Sequence, residues 1–286
     1  MSGRGPSLPL ARGRSVSTDR PALIMGILNA TPDSFWEGSR ARTVDEGLRR
    51  ALALAADGAD IIDVGGESTR PGSDYVGLAE EMDRVIPLIE AIRRECRLPI
   101  SVDTRKAAVM RAAIAAGADI LNDVSALADD PEMASLAAET GIPVVLMHKK
   151  GTPGTMQDAP EYADVVREVG DWLAERAHFA ERAGISREKI VIDPGIGFGK
   201  RFEDNVALIA GVAQIRARGY PVLMGLSRKS CIGRMTGRDA GDRLAGTIAA
   251  NLVAVQNGAS IVRVHDVAEA RDSLEVMGEL SACGIR

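Results

Sequence analysis

From residue 22 onward, short apolar runs alternate with longer amphipathic or Ala-rich stretches. The runs are Ala22–Leu28, Ile61–Val64, Ile100–Val102, Ile120–Leu121, Val144–Met147, Ile190–Ile192, Val222–Met224 and Ile261–Val264. Between them Val44–Ala56, Leu78–Glu95, Lys106–Ala115, Pro131–Glu139, Tyr162–Ala183, Asn205–Arg218 and Asp242–Gln256 read as helices, and Val267–Leu280 closes the chain. Gly117, Gly141, Gly184, Gly219 and Gly258 each follow a helix and precede a strand, where a C-cap needs positive φ. This alternation predicts an α/β fold with a parallel sheet and helical crossovers. Eight units in a chain of 286 residues point to a single (β/α)8 TIM barrel over residues 21–286. An open doubly wound sheet is the alternative, because periodicity does not show closure.

Composition narrows the function classes. Lys and Arg number 35 against 40 Asp and Glu, a net charge of −5, and aromatics are 3%. Taken whole, such a chain gives nucleic acid no electrostatic foothold and few stacking platforms. Three widely spaced cysteines, Cys96, Cys231 and Cys283, without a C-x-x-C pair, argue against a disulfide framework or zinc site and suit the cytoplasm. No apolar run is long enough for a membrane span. Residues 1–20, rich in Arg, Ser, Gly and Pro, read as a disordered tail without the apolar core of a secretory signal.

The chemistry gathers where the strands end. In order these ends carry Asn29, Asp63, Asp103, Asn122 with Asp123, His148, Asp193, Ser227 with Lys229, and Arg263 with His265. In a barrel all of them open onto one rim, the site of catalysis in this fold. Any single one would serve equally well as a helix N-cap or as a strand-end residue bonded to a neighbouring loop. Two poles emerge. Asp103, Asn122 and Asp193 form an anionic and amide-bearing pole suited to a planar N–H/NH₂ edge, such as a 2-amino-pyrimidinone. Arg263 and His265, two apart on the last strand, form a cationic pole near the usual phosphate position, with Arg70 and Lys229 adding charge. The segment Asp193-Pro-Gly-Ile-Gly-Phe-Gly-Lys200 has neither nucleotide-binding spacing and reads as a loop whose backbone approaches a flat ligand. His178 reads as a surface residue and Cys231 as a small buried hydrophobe.

Together the blocks M-G-I-L-N-A-T-P-D-S-F (25–35), G-G-E-S-T-R-P-G (65–72), S-V-D-T (101–104), N-D (122–123), M-H (147–148) with G-T-P (151–153), D-P-G-I-G-F-G-K (193–200), G-L-S-R-K-S (225–230) and R-V-H-D-V (263–267) resemble the dihydropteroate synthase family. The similarity runs from about residue 22 to the C-terminus, in the right order at all eight strand ends. It implies a homodimeric barrel enzyme of folate biosynthesis, a transferase targeted by sulfonamides. Such an enzyme condenses 6-hydroxymethyl-7,8-dihydropterin diphosphate with p-aminobenzoate, using Mg²⁺, and the C–O bond breaks before the amine attacks. Carried over by position, Asp103, Asn122, Asp193 and Lys229 would hold the pterin, with Asp103, Asp193 and Lys229 the catalytic set. Asn29 would bind magnesium and, with Arg263 and His265, the diphosphate. Phe35, Thr69, Arg70, Pro71, Phe198 and Ser230 would serve p-aminobenzoate and the mobile loops.

Two departures stand out. Loop one continues Ser34-Phe-Trp-Glu-Gly-Ser39 where the family more often has S-F-S-D-G-G, and Lys149-Lys150 follow His148. Trp36 adds bulk beside the expected amine site. Two rival readings are a methyltetrahydrofolate-dependent methyltransferase domain and a catalytically silent pterin-binding paralogue. The first has no need of Arg263–His265 or Lys229, and the second conflicts with a full set of catalytic positions.

Overall fold

The structure is a computed structural model and describes residues 5–30, 40–67, 75–151, 154 and 160–283. Strands β3 (Leu23–Asn29), β4 (Ile61–Gly65), β5 (Ile100–Asp103), β6 (Ile120–Asp123), β7 (Val144–Met147), β8 (Ile190–Asp193), β9 (Leu223–Met224) and β10 (Ile261–Val264) form one parallel sheet ordered β8-β7-β6-β5-β4-β3-β10-β9. A parallel bridge between Ile192 and Val222 joins the two edges, and the Ile192 N–H donates to Pro221 O at 2.9 Å. The sheet is therefore closed, which excludes the open alternative.

Helices α1 (Arg40–Ala56), α2 (Leu78–Glu95), α3 (Ala107–Ala116), α4 (Met133–Thr140), α5 (Val165–Arg182), α6 (Phe202–Ala210), α7 (Val212–Arg216), α8 (Ser230–Thr236), α9 (Leu244–Gln256) and α10 (Val267–Ala282) surround it. Two details depart from the sequence reading. The helix expected over Asn205–Arg218 breaks at Gly211 into α6 and α7, and α8 is too short to announce itself by periodicity. The five predicted C-cap glycines all have positive φ, from +65° at Gly141 to +112° at Gly117.

Alternate strand residues face two separate cores. Ile24, Ile62, Val102, Leu121, Val144, Ile192 and Val262 pack outward against the helices. Leu23, Met25, Ile61, Ile120, Val145, Val191, Leu223 and Ile261 fill the barrel itself. The terminal segment completes this inner core, which corrects the expectation of a disordered tail. From residue 5 it is ordered: β1 (Ser7–Pro9) and β2 (Ser15–Ser17) form an antiparallel hairpin. Leu8, Leu10 and Val16 of this hairpin join the inner cluster. The polar composition concealed an alternation that buries every second residue. Ion pairs of Arg14 with Asp119 and of Arg20 with Asp60, the latter at 2.7 Å, pin the hairpin to loops preceding the strands. The polar rim lies at the opposite end.

Candidate active site

Period-two geometry builds the site. Two residues beyond the inward Ile61, Ile120, Val191 and Ile261 stand Asp63, Asn122, Asp193 and Arg263, and Asp103 occupies the same phase two beyond Ser101. Each strand thus carries its inward face from apolar core to polar floor. Asp103 and Asn122 are register partners across β5 and β6. The neighbouring phase goes elsewhere: Asp123 turns outward and accepts from Ser125 N–H and Oγ at 2.7 Å and from Leu127 N–H at 2.8 Å. It holds the turn after β6 and caps no helix, the loop-bonded role open to any strand-end residue.

The two poles of the sequence reading meet in one cluster. Arg263 Nε donates to Asp63 at 2.6 Å and Nη2 donates to Asp103 at 3.1 Å. Asn122 Nδ2 approaches both Asp63 oxygens, at 3.4 and 3.2 Å. Asp193 Oδ1 accepts the Gly195 N–H at 2.7 Å. Among the described residues, Asp103 Oδ1, Asn122 Oδ1 and Asp193 Oδ2 have no hydrogen-bond donor. Three convergent acceptors in a largely buried floor call for a ligand with several N–H donors. Burial raises Asp103 to about 7, against the pull of Arg263 and helped by the charges of Asp63, Glu81 and Asp123. Burial raises Asp193 as well. Lys229 is pushed down to about 8, first by burial and then by Arg263, and its Nζ lies 4.3 Å from the Phe198 ring centroid. His265 Nδ1 is 2.9 Å from Ser227 Oγ. Ser230 starts α8 beside Lys229 and is exposed.

Loop six lies tight against loop five. Gly195, Gly197 and Gly199 have φ of +64°, +85° and +67°. A Cβ at Gly195 would meet His148 O at 2.0 Å, and one at Gly199 would meet Lys150 O at 2.2 Å. Lys200, 2% exposed, fastens the loop from below: its Nζ lies 2.9 Å from His148 Nδ1 and donates to the carbonyls of His148 and Phe198 at 3.3 and 3.0 Å. Burial lowers His148 to about 3, so its ring is neutral and accepts. The Lys149 departure is absorbed by an ion pair with Asp129 at 2.7 Å.

Asp63 and Lys200 are the residues to which sequence reasoning gave no role. Asp63 carried a signal, since it stands in the same inward phase as its partners. Lys200 carried only its place at the end of a Gly-rich segment. Phe35, Thr69, Arg70 and Pro71, with Trp36 and Glu37, lie outside the described residues. His178 is exposed and Cys231 is buried, as expected.

Residues 25–265 match the family model described as pterin binding enzyme. A dihydropteroate synthase of Escherichia coli (strain K12) is 45% identical over 267 residues, covering 93% of this chain and 94% of that one. The solved structure of Xanthomonas albilineans dihydropteroate synthase with 4-aminobenzoic acid superposes with a TM-score of 0.89 at 48% identity, covering 96% of this chain and 99% of that one. That of Yersinia pestis dihydropteroate synthase with a sulfonamide drug complex gives 0.88 at 39% identity, covering 96% and 98%.

Proposed function

The chain belongs to the dihydropteroate synthases among the pterin-binding enzymes, and from that premise we infer how its barrel mouth works. It is a transferase of folate biosynthesis: it joins 6-hydroxymethyl-7,8-dihydropterin diphosphate to p-aminobenzoate, giving 7,8-dihydropteroate and diphosphate, and it is a sulfonamide target. The observation that carries the residue assignments is the trio of acceptors at Asp103, Asn122 and Asp193 that no described residue engages. They match the 2-amino and ring N–H groups of a pterin. The Lys229 ammonium serves the acceptors of the same ring, and Phe198 beneath it walls the amine side.

In the reaction the bond between the pterin methylene carbon and the diphosphate oxygen breaks, and its electron pair leaves with diphosphate. The lone pair of the p-aminobenzoate nitrogen then forms the C–N bond, and that nitrogen gives up a proton. Asp103 and Asp193 stabilise the positive charge that develops on the ring. Arg263 and His265 stabilise the negative charge that departs, and a low-dielectric floor strengthens both effects. No nucleophilic side chain is needed. Ser230 beside Lys229 would meet the p-aminobenzoate carboxylate, with Phe35, Thr69, Arg70 and Pro71 completing that side by family resemblance.

Magnesium fits the donor set. Among the described residues no cluster of His, Cys, Asp and Glu forms an all-protein site. Asn29 at the end of β3 offers a hard oxygen, and no described residue hydrogen-bonds its side chain. One protein oxygen suffices for an ion that shares substrate phosphates and keeps its waters, and Asn29 would hold it. When bound, Mg²⁺ neutralises charge on the diphosphate. Cytoplasmic residence is supported by three free cysteines among the described residues. A homodimer is supported by the exposed Met235, Val253, Val276 and Leu280 on α8, α9 and α10.

Steady-state kinetics test the assignments. Asp193→Asn and Lys229→Met should each lower kcat/KM for the pterin diphosphate by roughly 10- to 100-fold, the worth of a buried charged hydrogen bond. Near-wild-type kinetics in either variant would overturn the pterin assignment of that residue.

A further inference from the structure

Asp63 is fully buried at the end of β4 and has no part in the mechanism above. Its carboxylate is nevertheless the hub of the cluster, joined to Arg263 Nε and to Asn122 Nδ2. We propose that Asp63 is a positioning residue that touches neither substrate but sets, at once, the edge Asn122 shows to the pterin and the orientation of the Arg263 guanidinium. The inference rests on the reading of this pocket as a pterin site.

A carboxamide is nearly symmetric in shape and opposite in chemistry at its two ends. Reversed, it shows a donor where an acceptor stood. A carboxylate paired with a guanidinium offers only acceptors. Asn122 must therefore turn Nδ2 toward Asp63, and Oδ1 is left for the ligand. That choice is right for a ring edge made of N–H and NH₂ groups. In a buried floor a reversed amide would leave two donors facing each other, which costs more than a bond simply lost.

The second effect runs through Arg263. Asp63 engages Nε and Asp103 engages Nη2, so two carboxylates on adjacent strands fix the plane of the guanidinium. Among the described residues none pairs with Nη1, which is the nitrogen left for the leaving group. With Asp63 removed, one contact remains and the guanidinium can turn about it. One buried carboxylate thus aligns the ring-binding amide with the cation that meets the diphosphate.

The test is an exchange of the two partners. In Asp63→Asn the shape is kept and the new amide oxygen can still accept from Arg263 Nε. Its new NH₂ confronts Asn122 Nδ2, and Asn122 reverses. In the double variant Asp63→Asn/Asn122→Asp a donor again meets an acceptor, and an oxygen again faces the ligand. Calorimetric titration with the pterin diphosphate, KM and kcat for both substrates, and the thermal midpoint are measured on full-length protein.

The single variant should weaken pterin binding roughly 30-fold and leave KM for p-aminobenzoate within about twofold. The double variant should return pterin affinity to within about threefold of wild type. A purely structural Asp63 would lower the thermal midpoint, leave the affinity of the folded fraction unchanged, and gain nothing from the exchange; that pattern overturns the inference. If the single variant does not fold, a folded double variant that binds pterin supports the inference, and one that does not bind overturns it. Failure of the wild-type protein to bind pterin would instead overturn the underlying reading of the pocket, and the inference with it.

Discussion

Asp103→Asn should make the ligand-free protein more stable in alkali while damaging its activity. Asp103 is 9% exposed and sits among Asp63, Glu81 and Asp123, with Arg263 its one ion-pair contact among the described residues. Burial and the like charges lift it from an ordinary 3.8 to about 7. Because the folded value lies above the unfolded one, the folded protein holds an extra proton between about pH 4 and pH 7. Stability therefore falls as pH rises through that window, and the penalty is complete above it. The gap, at about 1.4 kcal/mol per pH unit, is roughly 4 kcal/mol. An amide of the same shape carries no such penalty, and its oxygen can still accept from Arg263 Nη2. Losing the stronger charged hydrogen bond offsets about 1–2 kcal/mol of the gain. The expected net is about 2–3 kcal/mol at pH 8.5, or a thermal midpoint higher by about 5 °C, shrinking toward zero near pH 5. Thermal and urea melts of both proteins at the two pH values measure it. A variant equally destabilised at both pH values would refute the argument, because it would mean that Asp103 is a net stabilising charge.

Three further outcomes follow from the same geometry. Gly195→Ala places a Cβ 2.0 Å from His148 O at a φ of +64°, so loop six must move; a loss of at least about 2 kcal/mol in a urea melt is expected, and an unchanged melt would contradict it. Lys106→Met strips Glu81, 0% exposed, of its ammonium partner and should cost about 3–5 kcal/mol, while adding Glu81→Gln should recover much of it; equal melts for the single and double variants would refute the pairing. A sulfonamide should raise the apparent KM for p-aminobenzoate and leave kcat unchanged, and inhibition that excess p-aminobenzoate cannot reverse would count against a shared site.

Much of this fold and site is legible in the sequence. The eight strands and the five C-cap glycines follow from local rules, since a strand between two layers is continuously apolar and a helix end needs positive φ. The inward phase of Asp63, Asp103, Asn122, Asp193 and Arg263 is likewise a period-two consequence. Three things were not legible. The terminal hairpin is held by side chains at the far end of the barrel, so its polar composition misled. The two poles proved to be one cluster because Arg263 reaches across to Asp63 and Asp103, a contact between residues 200 and 160 positions apart. Lys200 acts on His148 through a fold-back of the chain that no spacing rule describes.

This barrel mouth joins a pterin methylene to an aromatic amine. The most direct measurement is mass detection of 7,8-dihydropteroate, with diphosphate release followed in parallel, in reactions containing pterin diphosphate and Mg²⁺ with p-aminobenzoate present or omitted. Dihydropteroate and diphosphate formed in equal amounts, and only with p-aminobenzoate, are the expected result. Tight pterin binding without either product would contradict the claim and leave a pterin-binding protein that has lost its chemistry.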